Sequence, residues 1–90
     1  MITRQDFLDF CKLQGGALID HESTSTQSAY ANCAIGSYYK YLHGEVIETG
    51  EAHALVADLE QVIGKDITDT MGNYGPSSYR DLVKLLEEQA

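Results

Sequence analysis

Ninety residues carry fourteen acids against six bases, a formal charge of −8, with 43% apolar residues, 22% charged residues and one proline. That length suits a single small acidic domain spanning residues 1–90, and the apolar share argues against a disordered chain. No apolar run approaches the roughly 20 residues a bilayer demands, which excludes a membrane span, and the sign of the charge disfavours direct contact with DNA or RNA.

In chain order, Thr3 followed by Asp6 is a capping-box arrangement, so the first helix begins after Thr3. Phe7, Phe10 and Cys11, with Leu8 beside them, form its apolar face, and Gly15-Gly16 ends it. Ala17-Leu18-Ile19-Asp20 reads as a short extended run, followed by a polar loop over residues 21–26. A central helix is expected from Gln27 to His43, stopped by Gly44, with Ala31, Ile35, Tyr38 and Leu42 as its buried stripe. Glu45-Val46-Ile47-Glu48 reads as a linker, or as a β-bridge partner of residues 17–20. Thr49 then caps a helix over Gly50–Ile63, closed by Gly64. Residues 65–75 are expected to be irregular, tethered by Ile67 and Met71. Ser78 and Asp81 open the last helix, whose buried side is Tyr79, Leu82, Val83 and Leu86. The expected fold class is mainly α: a compact bundle of about four helices, with room for a short two-stranded β element (α+β).

Met1-Ile2-Thr3-Arg4-Gln5-Asp6 opens with charges and lacks the apolar core of an export signal, so a cytoplasmic location is expected. Two cysteines cannot build a disulfide framework, and in a reducing compartment Cys11 and Cys33 are expected as buried thiols, with one bridge between them as the alternative. Cys33 is also the natural nucleophile, with His21, His43 or His53 as its base. A mid-helix position on a small-residue face deprives it of activation by a helix terminus, so packing outweighs catalysis. The histidines, cysteines and acids show no C-x-x-C or H-x-x-x-H spacing, and Met71-Gly72-Asn73-Tyr74-Gly75-Pro76 lacks the lysine of a phosphate-cradling loop. No cofactor, metal or catalytic group is expected.

Charge layout is more informative. Between Leu13 and Gly64 the sole base is Lys40, while Asp20, Glu22, Glu45, Glu48, Glu51, Asp58 and Glu60 are acids. Carboxylates at Glu45, Glu48 and Glu51 would sit roughly 5–10 Å apart, comparable with phosphates along a nucleic acid strand. Such an array is able to occupy a basic groove. Tyr39 cannot share the buried face of Tyr38, because helical neighbours differ by about 100°, so it offers a ring beside Lys40 for a partner. The expected partner-binding residues are Glu45, Glu48, Glu51, Asp58, Tyr39, Asp20 and Glu22. A patch of small residues at Ala29, Ala31, Cys33, Ala34, Gly36 and Ser37 offers a second possibility, close packing of two copies as a homodimer.

Asn32-Cys33-Ala34-Ile35-Gly36-Ser37-Tyr38-Tyr39 resembles the Cys-Ala-x-Gly-x-Tyr-type helix of small uncharacterised proteins encoded by phages and prophages. Gly75-Pro76-Ser77-Ser78-Tyr79-Arg80-Asp81-Leu82 resembles their terminal Gly-Pro-x-x-(aromatic)-x-x-Leu helix. In size, acidity and lack of catalytic signatures the chain is also similar to anti-CRISPR proteins and other phage inhibitors. The resemblance implies a non-enzymatic inhibitor or adaptor that binds a basic, nucleic-acid-binding host protein in the host cytoplasm and acts as a DNA mimic. The rival expectations are a small Cys/His-dependent enzyme centred on Cys33 and a homo-oligomeric structural module.

Overall fold

The computed structural model describes residues 2–19, 33–73 and 75–89. Among them are five helices, α1 (Arg4–Leu13), α2 (Ala34–His43), α3 (Thr49–Ile63), α4 (Lys65–Gly72) and α5 (Tyr79–Glu88). The α-carbon radius of gyration is 11.8 Å, against about 12 Å for a compact chain of this length.

α1 starts where its cap residues dictate. Thr3 Oγ1 accepts from the Asp6 amide at 3.1 Å, and the Asp6 carboxylate accepts from the Thr3 amide at 3.1 Å, so two orphan donors of the first turn are satisfied. Phe7, Leu8, Phe10 and Cys11 are buried as the periodicity requires, and Gly15 leaves the helix region with φ of 64°. α1 packs chiefly on α5. The Arg4 guanidinium donates to the Leu86 carbonyl near the end of α5, occupying an acceptor that has no partner within its own helix.

Residues 17–19 do make an extended contact, but not with residues 45–48. Leu18 forms an isolated antiparallel bridge with Ser78: the Ile19 amide donates to the Ser77 carbonyl at 2.8 Å, and the Tyr79 amide to the Ala17 carbonyl at 3.0 Å. The expected β element is therefore one bridge tying the chain after α1 to the start of α5. Backbone groups left over at the mouth of α5 explain the choice. Ser78 caps that helix through Oγ to the Asp81 amide, 3.3 Å, and the extended cap residue presents its flanking amide and carbonyl to residues 17–19.

α4 replaces the irregular stretch expected over residues 65–75. Its threonines and glycine are weak helix formers, yet Ile67, Thr68 and Met71 share one face and are buried. Tertiary burial overrides propensity here. Gly64, with φ of 89°, lies between the two helices as the C-cap of α3 and the N-cap of α4. Its carbonyl accepts from Thr68 Oγ1 at 2.8 Å, and the Asp66 carbonyl accepts from Thr70 Oγ1 at 2.8 Å. These hydroxyls bond four residues back along the helix instead of competing with it.

The core is aromatic at its centre. Phe10 lies 5.0 Å from Tyr38, 5.8 Å from Tyr79 and 6.3 Å from Phe7 between ring centroids, and Phe7 meets Tyr38 edge-on at 5.0 Å. Leu59, Ile63, Leu82 and Leu86 complete it from α3 and α5.

Candidate functional site

α2 ends at Gly44, which takes φ of 73° and turns the chain; left-handed backbone is the conformation glycine adopts without a Cβ penalty. The next four residues are the acidic segment singled out in the sequence. Ile47 is fully buried, whereas Glu45, Val46 and Glu48 face water. One apolar side chain thus pins a segment whose carboxylates project outward.

Glu48, not Thr49, is the N-cap of α3. Its amide donates to Glu51 Oε1 at 3.2 Å, and the Tyr39 hydroxyl donates to Glu51 Oε2. Glu51 is therefore half-buried and engaged by its own chain, unlike the free surface carboxylate expected. Tyr39 likewise is half-buried, its ring 4.4 Å from that of His43. The largely exposed ring on this helix is Tyr41, 57% accessible. The Tyr39–Glu51 bond, partial burial and the nearby charges of Glu51, Glu45 and Glu48 push the Tyr39 hydroxyl up to about 12. At the α2–α3 corner Glu51 is thus bonded to this phenol, and Glu45 and Glu48 act on it through their charge. Two ion pairs of the described residues, Lys12–Glu87 at 3.9 Å and Lys65–Asp69 at 2.9 Å, lie away from this corner.

Asp58 stands apart from that corner. It lies seven residues beyond Glu51 on the same face of α3, about 10 Å along the axis. There it borders a groove of about 570 Å³ between α1, α2 and α3, lined by Asp6, Asp9, Tyr38, Tyr41, Leu42, His43 and Leu55 among others. Asp6 and Asp9 were not among the expected site residues. Their signal was a three-residue spacing on the wet side of α1, which by itself reads as an ordinary solvated face. Tyr38 has no exposed surface, and its hydroxyl has no hydrogen-bond partner. An unsatisfied buried hydroxyl costs about 1–3 kcal/mol. Burial, then the charge of Asp6, push this phenol up to about 12.

Two expected site residues, Asp20 and Glu22, lie outside the described residues, as does the first part of the predicted central helix. Cys33 is the N-cap of α2 and not a mid-helix residue. It is nonetheless buried, at 8% exposure, and no disulfide joins it to Cys11. Burial pushes the Cys11 thiol up to about 12. Of the small-residue patch, Cys33, Ala34 and Gly36 are buried within the chain itself. No helix among the described residues is long and apolar enough to cross a membrane, and none of their His, Cys, Asp and Glu side chains form a group of three placed to hold a metal ion.

Comparison with protein families, with curated proteins and with solved structures finds no match to this chain.

The raised groups set an alkaline limit on stability. Tyr38 and Tyr39 ionise near 12 in the folded chain against an ordinary 10.0, and Cys11 near 12 against 9.0. Between those values the unfolded chain binds fewer protons than the folded one, so stability falls as pH rises. The urea midpoint is expected to hold steady from neutrality to about pH 8.5, decline from about pH 9 as the unfolded Cys11 thiol ionises, and fall faster above about pH 10. A midpoint that rises across that range would contradict these assignments.

Proposed function

We propose that this chain is a non-enzymatic binding protein of the phage-inhibitor type, acting in the host cytoplasm. Its acidic α2–α3 corner docks on a basic, nucleic-acid-binding surface of a host protein and obstructs nucleic acid there. The observation carrying this reading is the Tyr39–Glu51 bond, at a corner where the exposed Glu45 and Glu48 add their charge. Glu45 and Glu48 flank Ile47, whose burial anchors the backbone that carries them. A pre-organised acidic array avoids the ordering cost that a flexible acidic tail would meet on binding. Its field speeds encounter with a basic partner, whereas contact by Tyr41 and Leu42, both exposed, would lengthen the life of the complex.

The test begins with capture of host proteins on the immobilised chain, followed by a challenge with duplex DNA and with RNA. The reading expects basic nucleic-acid-binding proteins that either polymer releases in competition. With one such protein purified, Glu45→Lys together with Glu48→Lys should slow association at least tenfold at low salt and flatten the salt dependence of the rate. Glu51 is left intact, because it holds the corner together. Capture that neither nucleic acid nor charge reversal disturbs would refute the proposal.

A further inference from the structure

Exposed large apolar side chains among the described residues fall in two places. Leu13 and Leu18 follow one another after α1, and Tyr41, Leu42 and Val46 lie at the end of α2 and just beyond it. Such residues scattered singly are ordinary, but Tyr41 and Leu42 share a concavity. Both line the groove of about 570 Å³ between α1, α2 and α3, where Ile2 and Leu55 add further apolar surface. Tyr41 rests on the buried Phe10, with ring centroids 5.1 Å apart, so the core backs a ring that is still 57% exposed. The groove thus presents a supported apolar floor to water.

Charge selects what covers that floor. The lining includes Asp6, Asp9 and Asp58 and no lysine or arginine, with His43 as its one basic side chain. Exposed Val46 lies between exposed Glu45 and buried Ile47, with exposed Glu48 next in the chain. The pairs Lys12–Glu87 and Lys65–Asp69 neutralise none of these acids. A second copy docked about a two-fold axis would set the same carboxylates against one another, and like charges brought together across an interface are costly. An anionic lipid surface is repelled by a formal charge of −8. The complementary surface is apolar and basic at once. Its backbone form follows from the walls. No lining residue belongs to a strand, so an extended peptide finds no edge to pair with, whereas a helix lays apolar residues at i, i+3, i+4 and i+7 into such a groove. Lysine or arginine beside that stripe reaches the rim acids while its aliphatic stem stays on the apolar floor. Asp6 is committed to the Thr3 amide, which leaves Asp9 and Asp58, one on each side, as the acceptors.

We propose that this groove receives a basic amphipathic helix of the partner, its apolar stripe against Tyr41 and Leu42 and its cationic side chains beside Asp9 and Asp58. The proposal rests on the binding function given above and names the segment of the basic partner that is gripped.

The probe is a synthetic peptide of about 18 residues, long enough to form a helix when bound, with leucine at i, i+3, i+4, i+7 and i+11 and lysine, arginine and alanine elsewhere. One comparison scrambles its order, keeping the charge and losing the stripe. The other puts glutamate at every basic position, keeping the stripe and losing the charge. Each is titrated into the isotope-labelled full chain and followed by amide and tyrosine-ring chemical shifts. Shifts centred on Asp9, Tyr41, Leu42 and Asp58 are expected, with the first peptide bound at least tenfold more tightly than either comparison. Tyr41→Ser with Leu42→Ser should weaken binding about tenfold or more. Asp9→Asn with Asp58→Asn, both exposed, should weaken it severalfold and flatten its salt dependence; this pair keeps the test valid where loss of Tyr41 costs stability. Absence of shifts at millimolar peptide, equal binding of the scrambled peptide, or normal binding by the Tyr41 and Leu42 variant would overturn the proposal. So would movement of the same resonances on dilution of the chain alone, which would assign the groove to a second copy, or on addition of phosphatidylcholine vesicles, which would assign it to lipid. Shifts confined to Glu45 and Glu48 would overturn it while leaving the acidic-corner reading standing. Loss of partner association on reversing Glu45 and Glu48 tests that reading separately.

Discussion

Phe10→Ala is expected to destabilise the chain by about 3–5 kcal/mol, the range for removing a buried phenylalanine ring. Phe10 is 3% exposed. It is the one ring in contact with all of Phe7, Tyr38, Tyr41 and Tyr79, at centroid separations of 6.3, 5.0, 5.1 and 5.8 Å. Its loss removes both the transfer free energy of the ring and its ring–ring contacts, edge-to-face with Tyr79, tilted with Tyr38 and Tyr41 and stacked with Phe7, such contacts being worth about 0.5–1.5 kcal/mol each. A domain of this size has a total stability toward the low end of the usual 5–15 kcal/mol, so the variant should be partly unfolded at ordinary temperature. The corresponding fall in Tm is about 4–8 °C per kcal/mol. Leu13→Ala is the matched control: Leu13 is 68% exposed at the end of α1, and its removal should shift stability by no more than about 0.5 kcal/mol. Thermal and urea unfolding of the two variants side by side measure the contrast. A cost below about 1.5 kcal/mol for Phe10→Ala would place the centre of the core elsewhere.

The same ring explains what was readable in the sequence. Phe7, Phe10 and Cys11 recur at helical spacing between a strong cap at Thr3 and a glycine pair, and every signal agrees, so α1 and its buried face were legible in full. α5 was legible for the same reason, with Ser78 and Asp81 marking its start. α4 was not, because its evidence is divided. Thr68, Thr70 and Gly72 argue locally against a helix, and only the burial of Ile67 and Met71 against the rest of the molecule decides for one. The bridge between Leu18 and Ser78 joins segments sixty residues apart in the chain, and no local pattern encodes such a pairing. In the candidate site, the acids at Glu45, Glu48 and Glu51 stood out through the lack of neighbouring bases. That Glu51 turns inward to Tyr39 depends on how α2 lies beside α3, which charge spacing does not specify. The groove was hidden for a related reason. Asp6 and Asp9 look like wet-side residues of α1 until α3 brings Asp58 opposite them, and Tyr38 reads as plain core until its hydroxyl is found without a partner.

Ile47→Ala is expected to cost about 2–5 kcal/mol, although the residue lies in the five-residue connection between α2 and α3 and belongs to no helix. Its burial is complete, while Val46 beside it is 40% exposed. Loops are ordinarily exposed and tolerant of change, so this cost separates a pinned connection from a slack one. The effect should not stop at stability. Ile47 sits between Glu45 and Glu48, and Glu48 caps α3 one turn before Glu51. Without the anchor, the backbone that carries Glu45 and Glu48 and caps α3 is free to shift, and the Tyr39 hydroxyl should return from about 12 toward its ordinary 10.0. Tyrosinate absorbance followed against pH, under conditions where the variant remains folded by circular dichroism, reads this directly. Val46→Ala should leave both the titration and the urea midpoint nearly unchanged. If Ile47→Ala weakens the fold but leaves the Tyr39 titration where it was, the corner is held by the Tyr39–Glu51 bond alone, and the connection contributes only to packing. If both move together, a single buried isoleucine is what turns a run of acids into a rigid electrostatic surface, because a carboxylate array presents a defined shape to a basic partner only when the backbone beneath it cannot shift.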